Sequence, residues 1–167
     1  MSLQESATMT LSAPAPSPSP SRHRPLDEDR VVAAMTGALR AAIGDEGFLL
    51  REGARYRIDF SSVREVDLAV LSRRDYQREI EYRPTATWID TVPLLMVLVS
   101  VGPARGSARG LDAYRGRGTN TIWQVDLKSH SIHVMDSNGF HTYHDRIRLP
   151  HPFDGIELDV ATLLGKR

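Results

Sequence analysis

The spacing of apolar residues predicts a helix followed by two strands at the start of the folded part of the chain. The helix begins at the acidic residues 27–29 and ends at Ile43, before a glycine. The two strands are Phe48–Glu52 and Arg55–Phe60, and we expect them to be joined at Gly53-Ala54. Apolar and charged residues alternate in the second strand, so one of its faces should be exposed to solvent.

The middle of the chain predicts two buried strands, each followed by a short helix. Residues 66–71 form an apolar strand that is interrupted only by Asp67, and a capped helix over residues 73–82 follows it. Residues 94–99 are apolar on both faces, which predicts a central strand covered on both sides. The second short helix is predicted over residues 108–117.

The last third of the chain predicts more strands and a closing helical turn. The strands are residues 121–127, 131–137 and 140–145. Asn138-Gly139 is a strong hairpin signal between the last two strands. Ile156 and Leu158 are expected to extend the same sheet, and Asp159 is expected to cap a final turn. The alternation of helices and strands predicts a mixed α/β (α+β) fold around one central sheet.

Residues 1–25 differ from the rest of the chain in composition. They are rich in Ser, Ala, Thr and Pro, and such a segment buries too little apolar surface to offset its ordering entropy. A disordered tail with polyproline character is therefore predicted, acting either as a docking segment or as an inert leader. Residues 26–167 are predicted to form a single domain.

Composition and charge exclude several kinds of site and partner. Without cysteine, the chain has no disulfide, zinc–thiolate site or cysteine nucleophile. Its 21 basic and 21 acidic residues balance, so no overall field attracts it to DNA or to an anionic membrane. The longest apolar run is about half of the ~20 residues that a membrane-spanning helix needs. No signal peptide is recognisable, so a cytoplasmic location is expected.

Two features of the middle of the chain could carry chemistry. Asp67 is an acid within an apolar strand, where it is either a metal ligand at a strand end or an edge carboxylate paired with an arginine. A glycine-rich segment carries a basic cluster that could contact phosphate or could be a solvated loop and helix face. The members of this basic cluster are Arg105, Arg109, Arg115 and Arg117.

Five histidines lie between residues 130 and 151. If Asn138-Gly139 forms a two-residue turn, His133 faces His144 across the hairpin, and the two rings could share a metal with His151. The alternative is an exposed hairpin that binds no metal.

Three parts of the chain together resemble the Uma-type restriction endonuclease family of the PD-(D/E)XK phosphodiesterase superfamily. They are the strand around Asp67, the strand at Leu94, and the spacing Tyr114-x3-Gly118-x4-Trp123-x2-Asp126. The resemblance covers about residues 28–165, including the ending PFDGIELDVATLLG. It implies a restriction-endonuclease-like core with a central mixed β-sheet flanked by helices.

The resemblance also implies where catalytic groups would stand. In that family two strand acids hold a divalent ion, usually magnesium, and a lysine orients water or stabilises charge on phosphate. Asp67 matches the first acid, whereas the second acid falls on Val97 and the lysine falls on Gly110. Two of the three chemical positions therefore lack their group, and Asp67 would be a vestigial catalytic residue and a candidate metal ligand.

These assignments predict a catalytically degenerate nuclease-fold domain that acts as a non-catalytic binding or accessory subunit and needs no cofactor. One alternative is an active metal-dependent DNA endonuclease that uses magnesium, and another is a structural subunit of a larger protein assembly. A protein partner or a larger assembly is expected. DNA contact through the four arginines and a homodimer stay open, and membrane insertion is not expected.

Overall fold

The computed structural model describes residues 26–58, 61–101, 114, 118–119 and 121–166. In chain order the elements are α1 (Leu26–Ile43), β1 (Phe48–Arg57), β2 (Val63–Ser72), α2 (Arg73–Tyr82), β3 (Leu95–Ser100), β4 (Ile122–Asp126), β5 (Ser131–Asp136), β6 (Gly139–Tyr143), β7 (Arg146–Arg148), β8 (Glu157–Asp159) and α3 (Val160–Leu163). The helix predicted over residues 108–117 lies outside the described residues except for Tyr114, whose backbone is helical. The predicted tail, residues 1–25, lies outside them as well.

Six strands form one mixed sheet in the order β1-β2-β3-β4-β5-β6. β3 and β4 run parallel, and every other neighbouring pair in this sheet is antiparallel. The five residues of β4 are all buried, and β3 is buried at four of its six positions. The predicted central strand covered on both sides is therefore confirmed for β3.

The sheet separates two groups of buried side chains. The first, called here the α1-side cluster, joins α1 and α3 to one face of the sheet through residues such as Met35, Leu39 and Leu163. The second, called here the α2-side cluster, lies on the other face and includes Tyr56, Met96 and Tyr114. α1 forms this contact because its apolar positions recur at helical spacing, and the acids of its first turn complement the helix dipole.

α2 differs from α1 in that none of its residues is buried. The helix begins as predicted, because the hydroxyl oxygen of Ser72 accepts a hydrogen bond from the backbone N–H of Asp75. It contacts the rest of the fold through Tyr76, which is partly buried against the α2-side cluster, and through the guanidinium of Arg73, which donates to the carbonyl oxygens of Asp45 and Phe48.

β1 is one strand, so the predicted break at Gly53-Ala54 is wrong. Gly53 has a φ of 61°, a conformation that favours glycine, and the pairing with β2 continues in the same register on both sides of it. The strand changes face at this point, since Leu50 packs in the α1-side cluster whereas Ala54 and Tyr56 pack in the α2-side cluster. The glycine therefore rotates the strand instead of ending it.

The C-terminal strands differ from expectation in two ways. Asp136 pairs with Gly139, so the hairpin turn consists of Ser137 and Asn138, and Gly139 takes the positive φ of 116°. β8 pairs with β7 in a separate two-stranded sheet, so Leu158 does not extend the main sheet. The final cap is confirmed, because the carboxylate of Asp159 accepts a hydrogen bond from the backbone N–H of Thr162.

None of the helices that the structure describes is long and apolar enough to cross a membrane.

Candidate functional site

Asp67 lies at a fork between β2 and β3. The main chains of these strands pair only where Leu68–Val70 faces Leu95–Val97. Immediately beyond the last pair, the backbone N–H of Val99 donates to Oδ2 of Asp67 at 2.7 Å. The carboxylate thus accepts a hydrogen bond that a main-chain carbonyl would accept in a continuous sheet, and a charged acceptor strengthens it.

Asp67 also lies opposite Gly53, the glycine of β1 that has a positive φ. Glu52 pairs with Leu68 and Ala54 pairs with Val66, so the pairing passes over Gly53 and Asp67. β2 also changes face here, since Val66 packs in the α2-side cluster and Leu68 in the α1-side cluster. Asp67 lies at this change of face and is half-buried. Its role as a metal ligand stays a prediction.

Val97, at the position of the second acid, is completely buried. Its register partners are Leu68 on β2 and Trp123 on β4, and all three side chains belong to the α1-side cluster. The side chain is therefore surrounded by hydrocarbon and aromatic groups, in which an ionised carboxylate would be strongly disfavoured.

Gly110, the position of the lysine, lies outside the described residues, and so does the whole basic cluster: Arg105, Arg109, Arg115 and Arg117.

The four residues of the motif spacing all lie within the described part of the chain. Tyr114 is buried in the α2-side cluster and Trp123 in the α1-side cluster, so they lie on opposite faces of the sheet. Gly118 has a φ of 91°. Asp126 ends β4, where its carboxylate accepts hydrogen bonds from the N–H of Lys128 at 2.9 Å and the hydroxyl of Ser129 at 2.8 Å. These contacts shape the turn that leads into β5.

The predicted histidine pair does not form. His133 pairs with Thr142 because the hairpin turn lies one residue earlier than predicted, and its Nδ1 is 2.8 Å from the Thr142 hydroxyl. Its ring stacks on Phe140, with centroids 5.5 Å apart. Nδ1 of His151 is 2.7 Å from a carboxylate oxygen of Asp154. Within the described ranges, no three His, Cys, Asp or Glu side chains group in a way that could hold a metal ion.

A polar cluster that the sequence did not reveal lies where α2 meets the segment before β3. The carboxylate of Glu79 accepts hydrogen bonds from the backbone N–H groups of Asp90 at 2.6 Å and Thr91 at 2.7 Å. The guanidinium of Arg83 lies 3.7 Å from the ring centroid of Trp88. No motif spacing marks these residues, and only the fold brings them together.

Beside this cluster is an open groove of about 300 Å³ between β1, α2 and the segment that follows α2. Its lining residues are Arg51, Gly53, Ala54, Arg55, Tyr76, Ala86, Thr87, Trp88 and Ile89. Ile89 also pairs with the outer edge of β1, through hydrogen bonds to the main chain of Arg55 and Arg57. The edge of the sheet is thus covered next to the groove, which limits pairing with another strand there.

Comparison with known proteins supports the fold. No protein-family model matches the chain, and no curated protein matches its sequence. Among solved structures, the chain is similar to the crystal structure of a "putative nuclease belonging to DUF820" from Anabaena variabilis ATCC 29413. The TM-score is 0.70 at 11% sequence identity, and the match covers 87% of this chain and 84% of that one. The predicted restriction-endonuclease-like fold, a central mixed sheet flanked by helices, is confirmed.

Proposed function

We propose that this chain is a nuclease-fold domain that does not cleave nucleic acid and that acts as a non-catalytic binding or accessory subunit. The observation that carries the proposal is the burial of Val97 between Leu68 and Trp123. At the place where the resemblance would put a metal-binding acid, the chain has a hydrocarbon side chain in apolar surroundings.

The contacts of Asp67 add support. One of its oxygens accepts the N–H of Val99, so the carboxylate has a role in the sheet that is independent of catalysis. A site with one acid could hold magnesium only through water and substrate phosphates. Loss of a catalytic acid and of a general acid or base typically lowers a rate by several powers of ten, so cleavage should be negligible.

A cleavage assay tests the proposal. The purified chain is incubated with supercoiled plasmid DNA and either Mg²⁺ or Mn²⁺, and we expect no nicked or linear product above that of a mock purification. Magnesium or manganese is included because each would complete a site built around Asp67 if the endonuclease alternative were correct.

The variants Asp67→Ala and Asp67→Asn make the assay decisive. The asparagine retains an oxygen that can accept the N–H of Val99, so it removes the charge while preserving the hydrogen bond at the fork. The matched control is Asp27→Asn, which removes an exposed carboxylate from the first turn of α1. Cleavage that both Asp67 variants abolish and the control retains would show that the chain is an active endonuclease and overturn the proposal.

A further inference from the structure

The two edges of the six-stranded sheet differ in how they are covered. At the β1 edge, Ile89 donates to the carbonyl oxygen of Arg55 at 2.8 Å and accepts the N–H of Arg57 at 3.0 Å. At the opposite edge, β6 pairs with β5, and its outer side meets no other strand among the described residues. Four of the five residues of β6 are exposed. β6 is therefore the open edge of the sheet.

β6 also lacks the features that commonly keep edge strands from pairing with other chains. Soluble proteins protect an open edge with Lys, Pro, other charged side chains or a bulge. The sequence of β6 is GFHTY, which contains none of these residues apart from a histidine, and its pairing with β5 is regular over its whole length. Phe140 is 52% exposed, although it is a large apolar side chain. Such an edge is typical of a strand that pairs with another strand.

The hairpin determines which main-chain groups of β6 point outward. Asp136 and Gly139 pair across the two-residue turn, and residues in this position exchange both of their main-chain hydrogen bonds. Hydrogen-bonded and non-hydrogen-bonded pairs then alternate along the ladder, so His141 bonds to β5 as Gly139 does. The N–H and C=O groups of Phe140 and Thr142 point away from β5, and no main-chain partner for them lies in the described part of the chain.

This pattern of outward groups is complementary to itself. If two copies of β6 run antiparallel with Phe140 of each opposite Thr142 of the other, each such pair exchanges two hydrogen bonds. Every outward group of both strands is then used, and other antiparallel registers of the two strands use fewer. The twofold axis of this arrangement passes through His141, which faces His141 of the second copy.

The side chains are compatible with this pairing. Phe140 pairs with Met135 of β5 and so lies on the face of the α2-side cluster, where it would meet Thr142 of the second copy. Pairs of an aromatic and a β-branched residue are favourable across strands. His141 pairs with Val134 and lies on the other face. Because the net charge of the chain is zero, no overall repulsion opposes the approach of two copies.

We propose that the chain forms a symmetric dimer in which β6 pairs antiparallel with β6 of a second copy. Since Ile89 covers the β1 edge, each chain has one open edge, and pairing ends at two copies instead of continuing into a fibre. A pairing of two short strands is smaller than the interface of a permanent dimer, so we expect dissociation in the micromolar range.

The dimer goes beyond the proposed function and does not depend on it. Its contacts belong to β6, whereas the cleavage assay concerns Asp67 on β2. Cleavage of DNA by the chain would leave the dimer standing, and a monomeric chain would leave the non-catalytic assignment standing.

Sedimentation velocity of the full chain at concentrations up to roughly 0.5 mM tests the dimer. We expect a shift from monomer to dimer as the concentration rises. His141→Lys and His141→Glu would each place two like charges opposite one another, so each should weaken association about tenfold or more. An equimolar mixture of these two variants should associate at least as tightly as the wild type, because a lysine would then face a glutamate.

A second variant tests the main-chain contacts without a change of charge. Thr142→Pro removes an N–H that points away from β5, so the hairpin does not lose a hydrogen bond, whereas the dimer loses one from each copy. Association should become about tenfold weaker or more. Urea unfolding should show that this variant and both His141 variants are folded.

The matched controls are Gln77→Lys and Gln77→Glu, which introduce the same charges at an exposed position of α2. Each should associate within about twofold of the wild type, and mixing them should not make association tighter.

Four results would overturn the dimer as proposed. A chain that stays monomeric up to roughly 0.5 mM would show that a second copy does not occupy this edge. Association that neither His141 variant weakens, or that Thr142→Pro leaves unchanged, would place the interface elsewhere in the chain. His141 variants that dissociate and are not restored by mixing would show that the two histidines do not face each other.

Discussion

At the scale of single residues, Val97 carries most of the functional conclusion, and its surroundings give a direct test. Val97→Glu would place a carboxylate at a position with no exposure, between Leu68 and Trp123. We expect the free energy of unfolding to fall by about 3–5 kcal/mol, because the buried charge would have no partner. Urea denaturation measures the change.

The control for this prediction is Val101→Glu, which introduces the same group just beyond the end of β3. Val101 is 61% exposed, so its replacement should change the free energy of unfolding by no more than about 0.5 kcal/mol. If Val97→Glu were as stable as this control, water would reach position 97, and an acid there would be compatible with the fold.

The resemblance to the Uma-type family, through its motif spacing, located these positions, although it could not supply their contacts. Counting back from Ser100 identified Val97, and its lack of a charge was evident from the sequence. The hydrogen bond from the Val99 N–H to Asp67 was not predictable, because it depends on where β2 and β3 cease to pair. That point is set by tertiary packing, and the sequence of a single strand does not determine it.

At the scale of elements, α2 and the segment that follows it are joined by polar contacts, and this junction should be sensitive to the loss of one charge. Glu79 accepts the N–H groups of Asp90 and Thr91 with two different oxygens. Glu79→Gln would replace one acceptor oxygen with a donor, and we expect a loss of about 1–3 kcal/mol in the free energy of unfolding. Hydrogen exchange at the amides of Asp90 and Thr91 should become faster.

Glu81→Gln is the matched control, because Glu81 is an exposed residue of the same helix. It should leave the exchange of both amides unchanged. Equal protection of these amides in the Glu79 and Glu81 variants would mean that the carboxylate does not anchor the segment after α2.

The elements themselves were predictable where local signals agree with packing. The apolar periodicity of α1 and the Ser72 cap of α2 predicted both helices, and the structure confirms them. Gly53 predicted a break, because a glycine between two alternating runs usually marks a turn. The pairing of β1 with β2 overrode that signal and used the glycine to rotate the strand.

At the scale of the whole molecule, residues 1–25 are rich in Ser, Ala, Thr and Pro and are predicted to bury little apolar surface. A chain that begins at residue 26 should therefore have the same free energy of unfolding as the full chain, within about 0.5 kcal/mol. Urea denaturation of the two chains measures this, and limited proteolysis followed by mass spectrometry should give a stable product that starts near residue 26.

A loss of more than about 2 kcal/mol on truncation would show that the first 25 residues are part of the fold, contrary to their composition.

Overall topology was predictable only as a class, a mixed sheet with helices. The separate β7–β8 sheet was not, because the pattern of Ile156 and Leu158 indicates a strand without naming its neighbour.

The fork at Asp67 has a consequence for tracing lost activity across this fold. A carboxylate that also satisfies the backbone of the next strand has two separate reasons to stay, whereas an acid at position 97 would have only its metal. As such a protein stopped cutting, the first acid would be retained longest, since removing it leaves an amide of β3 unsatisfied. A lone aspartate at this place would then be retained for its hydrogen bond in the sheet. A survey that counted it as evidence of cleavage would include proteins that no longer cleave.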